Sequence, residues 1–328
     1  MKTAIIIGIT GQDGYYLSSY LICQKKYNVI GLVQSEKRLL TATNEVNNEV
    51  ILEVWDMQNQ ENLENILLKY NPCEIYNLAA FSTGEGMYDN PINIVDINGS
   101  AVIRILEAIR LIDSKIKFCQ ASSREVFGLA NLSPQDENTR YNPRSPYGVA
   151  KAEADFMINI YKEMYNIFAC SAILYNHESP RRSINFVTRK ITNSAVKIKY
   201  NLQEKLFLGN LKDKRDWGFA GDYIEAMWLM LQNSSPKNYV ISTGKYYTIG
   251  EFCKITFDYL GLNYENYVIE DESLFRKAEP NILVGNSSAI KDDLGWEPKV
   301  NLNELIKIMV DYDIEIISKQ KDKDVYKN

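Results

Sequence analysis

The first strand of this chain runs directly into a glycine-rich turn, and this arrangement restricts the possible folds more than any other feature. Residues 4–7 are uniformly apolar, as in a strand buried on both faces of a parallel sheet. The turn reads Gly8-Ile9-Thr10-Gly11-Gln12-Asp13-Gly14, and an amphipathic segment follows it. Glycines here let the backbone approach a pyrophosphate at a helix N-terminus. A simple tight turn could use the same glycines, but the strand–turn–helix context favours a dinucleotide site.

Strand-like and helix-like segments then alternate over about 175 residues, which predicts a doubly wound parallel sheet of the Rossmann type. The expected strands are 4–7, 28–33, 50–54, 74–78, 115–120 and 168–174, and the expected helices include 61–68 and 97–111. After residue 176 the chain becomes polar and rich in turns, including 210–218. Further helices are expected at 187–198, 222–231, 249–260 and 302–316, with a strand at 239–243 and a frayed tail from 319.

This change in composition after residue 176 predicts a smaller C-terminal substrate lobe packed on the sheet. We assign residues 1–177, with about 216–243, to the dinucleotide-binding domain. About 178–215 and 244–328 then form the lobe.

Composition narrows the class of protein. A net charge of −5 gives no sign of a nucleic-acid or membrane-surface partner. Five scattered cysteines without a CxxC spacing favour a reducing, cytoplasmic location over a disulfide framework or a zinc site. The single histidine, His177, cannot support a multi-histidine metal centre, so no metal is expected. The apolar start is too short for a signal peptide or a membrane span.

Tyr147 and Lys151 are four residues apart, so on a helix their side chains share one face. An ammonium beside a phenol lowers the pKa of the tyrosine, which can then accept a proton from a substrate hydroxyl. With 22 tyrosines in the chain, a chance surface pair is the competing interpretation. Ser123 and Glu125 follow the fifth strand, at the sheet edge where chemistry is expected, although a loop serine or a surface carboxylate would be ordinary there.

Three strand ends are expected to contact the cofactor. Gln34-Ser35-Glu36-Lys37-Arg38 follows the second strand without an acid directly at its end, and its two cations favour the 2′-phosphate of NADP. Glu36 could instead serve the ribose of NAD, or these charges could lie in a solvated loop. Asp56-Met57 can reach an adenine, and Leu78-Ala79-Ala80 is small enough to lie against the dinucleotide.

The glycine turn, Ser123 and Tyr147-x-x-x-Lys151 together resemble the extended short-chain dehydrogenase/reductase family, and within it most closely the GDP-mannose 4,6-dehydratases. Further matching stretches are Asn77-Leu78-Ala79-Ala80, Ser145-Pro146-Tyr147, 176–182, 186–191, 209–211 and 214–218. They cover about two thirds of the chain, and general members of the larger family lack the last four.

The resemblance implies a role for each matching position. The implied catalytic residues are Ser123, Glu125, Tyr147 and Lys151. The implied cofactor contacts are Gly8, Gly11, Gln12, Asp13, Gly14, Gln34, Ser35, Lys37, Arg38, Asp56, Met57, Leu78, Ala79, Ala80, Tyr147, Lys151, His177 and Arg182. The implied substrate contacts are Ser82, Thr83, Ser123, Glu125, Asn176, Lys190, Arg215, Arg276 and Glu279. Taken singly, Lys190, Arg215 and Arg276 could be solvated charges; together they suit a diphosphate.

The implied activity is a 4,6-dehydration of a GDP-sugar, with NADP or NAD tightly bound and recycled. The product would be a GDP-4-keto-6-deoxy sugar, and Glu125 would be the base at C5. The chain differs from the usual family pattern at residues 34–35, 81–87 and 183–185, so the cofactor and the sugar stay open. GDP-mannose, a GDP-heptose and GDP-N-acetylglucosamine are the candidate substrates.

Two other functions remain open at this point. One is a GDP-sugar 4-dehydrogenase, 4-reductase or epimerase in which Glu125 is misplaced for C5. The other is a non-catalytic sugar-nucleotide-binding regulator. The resemblance also implies a homodimer or homotetramer formed through the helices that flank the tyrosine.

Overall fold

A computed structural model describes residues 1–81, 88, 90–275 and 282–325 of the 328-residue chain. The expected substrate contacts Ser82, Thr83, Arg276 and Glu279, and residues 82–87 of the expected sugar-side loop, lie outside the described residues.

Seven parallel strands form the central sheet, and their order reverses between the first and the fourth. In chain order the strands are β1 (Thr3–Ile7), β2 (Asn28–Val33), β3 (Ile51–Val54), β4 (Glu74–Asn77), β5 (Lys117–Ser123), β6 (Ala169–Leu174), β7 (Asn176–Glu178), β8 (Leu206–Leu208), β9 (Lys214–Arg215), β10 (Trp217–Phe219), β11 (Tyr239–Ile241), β12 (Tyr247–Thr248) and β13 (Val268–Glu270). The sheet has the order β11-β6-β5-β4-β1-β2-β3. The predicted doubly wound sheet is confirmed, and ligands of such sheets bind where the order reverses.

Helices cover both faces of this sheet. They are α1 (Gln12–Cys23), α2 (Glu36–Ala42), α3 (Gln60–Tyr70), α4 (Pro91–Val95), α5 (Ala101–Ile112), α6 (Pro146–Tyr165), α7 (Val187–Lys199), α8 (Ala220–Gln232), α9 (Ile249–Tyr259), α10 (Ser288–Leu294) and α11 (Leu302–Val325). Apolar residues of α1 and α8 pack on one face, and those of α3, α5 and α6 pack on the other. Within the described residues, no helix combines the length and the apolar character needed to cross a membrane.

The helix that carries Tyr147 and Lys151 begins at Pro146. The Ser145 hydroxyl accepts a hydrogen bond from the Gly148 amide at 3.1 Å, and Pro146 occupies the first turn. Proline suits this position because the first amides of a helix have no partner within it. Asn166 ends the helix in the left-handed conformation, at φ +53°.

Several segments differ from the sequence prediction. The charged residues after β2 form α2, because the Ser35 hydroxyl caps the amide of Arg38 at 3.3 Å. The expected helix 97–111 starts earlier and contains a π-helical turn, Asp96–Ser100, between α4 and α5. Strand β5 continues to Ser123, so this residue ends a strand and does not lie in a loop. The expected turn at 210–218 contains β9 and β10, and α11 continues through the expected frayed tail to Val325.

The C-terminal elements enclose an apolar core of their own, built from α7, α9, α11 and the strands β8 and β10. A buried ion pair between Arg189 on α7 and Asp313 on α11 crosses this core. Three two-stranded sheets, β7–β10, β8–β13 and β9–β12, surround it. Strand β7 directly follows β6 of the central sheet, so this lobe stands beside the C-terminal edge of the large sheet.

Candidate active site

A cleft of about 370 Å³ lies where the sheet order reverses, at the ends of β1, β2 and β4. Its lining includes Gly8, Gly11, Gln12, Asp13, Gly14, Gln34, Arg38, Met57, Leu78, Ala79, Ala80 and Arg182. These twelve residues were expected cofactor contacts, and the structure brings them together. Gly8 has φ +84°, and a Cβ atom there would lie 2.7 Å from the Ala79 amide nitrogen. A Cβ atom on Gly14 would lie 2.5 Å from the Ile9 carbonyl oxygen, so glycine is required at both positions.

Other expected cofactor contacts lie outside the lining of this cleft. Ser35 caps α2, and Lys37 is exposed on it. Asp56 is exposed, and its carboxylate accepts a hydrogen bond from the Gln58 amide at 3.1 Å. His177 contacts Asp13, which itself lines the cleft.

The first turn of α1 is held in place by a polar cluster that includes His177. Its Nε2 lies 2.9 Å from the Asp13 carboxylate, and its Nδ1 lies 2.8 Å from the Tyr175 carbonyl oxygen. Gln12 donates to the His177 carbonyl at 3.0 Å and accepts from the Ser179 hydroxyl at 2.7 Å. Burial acts to lower the pKa of His177, but the charge of Asp13 and the bond to it prevail and raise that pKa. Burial acts to raise the pKa of Asp13, but the imidazole outweighs it, and this pKa is lowered.

An ion pair stands at the end of the cleft nearest β2. The Arg38 guanidinium makes two hydrogen bonds to the Glu45 carboxylate, at 2.7 and 2.6 Å. Arg181 donates to the backbone oxygen of Glu45 at 2.7 Å, which ties this loop to the segment after β7. Of the two cations expected near a ribose phosphate, Arg38 is therefore already paired with Glu45.

Ser123, Glu125 and Tyr147 meet at the end of β5. A side-chain hydrogen bond joins the Tyr147 phenol to Ser123, and the Ser123 hydroxyl also accepts from the Glu125 amide at 3.3 Å. The Glu125 carboxylate lies 3.0 Å from the Arg124 guanidinium. A Cβ atom on Gly148 would lie 2.6 Å from the Glu125 carbonyl oxygen, so glycine allows α6 to approach this turn closely.

Lys151 is 1% exposed and lies beneath the tyrosine. Its ammonium donates to the Ala121 carbonyl at 2.7 Å and stands 5.7 Å from the centre of the Tyr147 ring. Burial lowers the pKa of Lys151 to about 8. Burial also raises the pKa of Tyr147 to about 12, although the bond to Ser123 lowers it. The pKa of this phenol is therefore raised overall and not lowered, because the loss of water around the phenol dominates.

One buried acid of this region was missed by the sequence analysis. Asp155 lies one turn beyond Lys151 on α6 and is 1% exposed. Its carboxylate accepts hydrogen bonds from three hydroxyls, those of Ser122, Ser171 and Tyr141. The spacing Tyr147-Lys151-Asp155, with four residues at each step, was the available signal.

The expected nucleotide contacts on the lobe are spread over several elements. Asn176 lies on β7 opposite Trp217 of β10, and Arg215 lies on the adjoining β9 beside Asp213, at 3.5 Å. Lys190 lies on α7 and donates to the Phe207 carbonyl of β8 at 2.8 Å. The structure therefore places Asn176 and Arg215 on neighbouring strand segments, and Lys190 beside a different strand pair.

Comparisons with known proteins show the family and the fold of this chain. The sequence model of the family described as GDP-mannose 4,6 dehydratase matches residues 5–309. The Arabidopsis thaliana protein named GDP-mannose 4,6 dehydratase 2 is 44% identical, over 98% of this chain and 89% of that protein. The Dictyostelium discoideum GDP-mannose 4,6 dehydratase is 39% identical, over 96% of this chain and 97% of that protein. A Thermotoga maritima UDP-glucose 4-epimerase structure shares the fold, with a TM-score of 0.84, 21% identity and coverage of 96% and 99% of the two chains.

Proposed function

The chain belongs to the GDP-mannose 4,6-dehydratase family, and from this premise we propose that it converts GDP-mannose into GDP-4-keto-6-deoxymannose and water. The observation that carries the proposal is the meeting of a Ser123–Tyr147 hydrogen bond with Glu125 at the end of β5. Beside a nicotinamide that accepts hydride, oxidation at C4 would need the serine and the tyrosine for proton transfer. Removal of water across C5 and C6 needs a further acid–base group, and Glu125 lies two residues from the serine.

The cleft suits a nicotinamide dinucleotide. Gly8 and Gly14 let the turn pack closely on the backbone of Ala79 and Ile9, and the first residues of α1, which line the cleft, would approach a pyrophosphate. NADP, with NAD as the alternative, would be tightly bound and would accept hydride from C4 and later return it to C6, so the reaction has no net redox change. Gln34 and Arg38 would lie near the adenosine ribose, and Met57 would lie near the adenine.

The side chains of this chain then have distinct roles. Tyr147, bonded to Ser123, takes the proton of the O4 hydroxyl as C4 becomes a ketone. The pKa of Tyr147 is about 12, so the phenolate that accepts this proton needs the stabilisation that a nearby positive charge supplies. Lys151, whose ammonium lies 5.7 Å from the centre of the Tyr147 ring, would stabilise the phenolate, and the two residues form the proton relay of the site.

Glu125 carries out the dehydration. The 4-ketone makes the C5 proton acidic, so the Glu125 carboxylate removes it. Glu125 then returns a proton to the C6 hydroxyl, which leaves as water. The bound nicotinamide would supply hydride to C6, and the proton that Tyr147 took from O4 would be returned at C5, so the net change is the loss of one water.

The lobe would hold the GDP portion. We propose Asn176, Lys190 and Arg215 as contacts to the nucleotide, together with Arg276 and Glu279. Ser82 and Thr83 are proposed to approach the sugar. The division into a dinucleotide domain of 1–177 with about 216–243, and a lobe of about 178–215 with 244–328, follows the same assignment.

An exposed apolar stripe on α6 supports a homodimer or homotetramer. Val149, Phe156, Ile160 and Met164 lie about one or two turns apart, and Phe156 and Met164 are 58% and 72% exposed. Such spacing places apolar side chains along one side of a helix, where a second copy of the same helix would cover them. We assign the protein to the cytoplasm.

Product mass tests the proposed reaction. The purified protein, with no cofactor added, is given GDP-mannose, a GDP-heptose and GDP-N-acetylglucosamine in separate reactions. Loss of one water from GDP-mannose is expected. Loss of two hydrogens with reduced nicotinamide accumulating would identify a dehydrogenase, and an unchanged mass with inverted C4 would identify an epimerase. Binding without turnover of any of these sugars would indicate a non-catalytic protein.

A variant pair tests the role of Glu125. Glu125→Gln should abolish the loss of water and leave a single oxidation at C4, seen as one equivalent of nicotinamide absorbance in rapid mixing. Glu163→Gln is the matched control because Glu163 is exposed on α6. Dehydration by Glu125→Gln at the rate of the control would refute the assignment.

A further inference from the structure

Asp155 is a charged group that the proposed reaction does not use. It is 1% exposed, and its three hydroxyl donors come from three different parts of the chain. Ser122 of β5 and Ser171 of β6 each donate at 2.6 Å, and Tyr141, in the segment before α6, donates at 3.0 Å. Three donors around one carboxylate stabilise its charged form. Burial acts in the opposite direction and raises the pKa of Asp155.

The group that can use this charge is Lys151. The two residues are four apart on α6, so their side chains leave the helix on one face with Cβ atoms about 6 Å apart. Both are 1% exposed, and the ammonium has a neutral carbonyl, that of Ala121, as its hydrogen-bond acceptor. A buried ammonium is costly unless an opposite charge is near.

The other polar groups around the relay act on Tyr147. Glu125 from the turn after β5 and Asp13 from α1 raise the pKa of the phenol, and Arg182 lowers it. For Lys151 the influences are burial, which lowers the pKa, and the charge of Asp155, which raises it. Asp155 therefore acts on the Lys151 ammonium, and it acts on the Tyr147 phenol only through that lysine.

We propose that Asp155 is a positioning residue of the proton relay: its buried carboxylate, fixed by three hydroxyls one helical turn from Lys151, is the counter-charge that keeps this ammonium protonated while the enzyme works. The inference rests on the proposed function for its kinetic readout. A purely structural Asp155 would cross-link β5, β6 and the segment before α6 without affecting the protonation of Lys151.

The pH profile of kcat/KM for GDP-mannose separates these roles. In the wild-type enzyme, activity should fall on the alkaline side as Lys151 loses its proton near pH 8. Asp155→Asn removes the counter-charge with little change of shape. Because the charge of Asp155 raises the pKa of Lys151, its removal should move the alkaline fall in activity to lower pH, by about one pH unit.

Glu153→Gln is the matched control. It removes a carboxylate from the same helix, but the Glu153 side chain points toward Gly99. Its alkaline limb should coincide with that of the wild type. A lowered rate for Asp155→Asn with an unmoved limb would overturn the proposal, because a structural cross-link changes the amplitude and not the pH dependence.

A milder variant, Ser171→Ala, provides a second test in case Asp155→Asn folds poorly. Ser171→Ala removes one of the three donors that hold the carboxylate, so the pKa of Asp155 should rise further and its charged form should be less favoured. The alkaline limb should then move in the same direction by less than one pH unit. An unmoved limb in this variant, if it is the one that folds, overturns the proposal.

Thermal unfolding tests the same idea without turnover. Since the pKa of Lys151 is lowered by folding, wild-type stability should rise as the pH passes upward through about 8. In Asp155→Asn this rise should begin at a lower pH. A protein that unfolds in this way but dehydrates none of the GDP-sugars would contradict the proposed function and leave the role of Asp155 intact. If the pH profiles of unfolding for the wild type and Asp155→Asn coincide, the role proposed for Asp155 is contradicted and the proposed function is not.

Discussion

Replacing Lys151 with methionine should stop the reaction and make the protein more stable at pH 7. Burial lowers the pKa of this lysine from 10.5 to about 8. A shift of about 2.5 pKa units corresponds to about 3 kcal/mol of folding free energy lost in keeping the ammonium charged at pH 7. Methionine has a similar length and no charge, so it avoids this loss.

Lys151→Met also loses the hydrogen bond from Lys151 to the Ala121 carbonyl, and this loss offsets only part of the gain in stability. The Ala121 carbonyl that accepts from Lys151 also accepts from the Gln120 amide at 2.8 Å, so it keeps a partner in the variant. Losing one such bond costs about 1 kcal/mol. Lys151→Met should therefore raise the free energy of unfolding by about 2 kcal/mol at pH 7, or several degrees in Tm.

The pH dependence identifies the cause of this gain. Below about pH 8 the lysine is charged in both the folded and the unfolded wild type. The full difference in the free energy of unfolding between Lys151→Met and the wild type is therefore present there. Between about 8 and 10.5 the folded wild type has released its proton and the unfolded chain has not, so wild-type stability rises and the difference shrinks. Urea unfolding at pH 7 and pH 9.5 measures this. Lys162→Met, on the same helix but half-exposed, is the control. A Lys151→Met protein less stable than the wild type at pH 7, or a difference independent of pH, would refute the reasoning.

Three further substitutions test other parts of the structure. Glu45→Gln leaves Arg38 without its carboxylate partner. The affinity for NADP relative to NAD should therefore rise about fivefold in competitive binding. Equal gains in affinity for both cofactors would contradict this. Asp313→Asn removes the charge that balances buried Arg189 and should cost about 3–5 kcal/mol in urea unfolding, whereas a loss below 1 kcal/mol would show that the pair contributes little. Gly14→Ala places a methyl group 2.5 Å from a carbonyl oxygen and should lower Tm and abolish dinucleotide binding, so retention of both would disprove the tight packing of this turn.

The central sheet and the cleft were predictable because their signals are local. The apolar strand of residues 4–7, the glycine turn and the alternation that follows each lie within short windows of sequence. Pro146 is another local signal, because proline suits the first turn of a helix such as α6. Short elements were missed because two or three residues contain too little periodicity to be recognised, as in β9 and β10.

The electrostatics of the site could not be predicted in the same way. The pKa of Tyr147 depends on how much water the lobe and the sheet exclude, and its spacing from Lys151 contains no such information. Asp155 becomes interpretable only when Ser122, Ser171 and Tyr141, which are distant in sequence, are brought around it. Sequence spacing indicates which side chains share a helix face, whereas burial decides how they ionise.

The contact between Gly148 and the Glu125 carbonyl has a consequence for how this active site could change its chemistry. The two proton-transfer side chains, Tyr147 and Glu125, stand on backbone segments that touch directly, with no side chain between them. Their separation is therefore insensitive to repacking of the core. Exchanging the Glu125 side chain can remove the dehydration step while the oxidising step keeps its geometry. A larger residue at position 148 would disturb both steps together. Position 125 is therefore the place where the dehydration step can change without affecting the oxidation step.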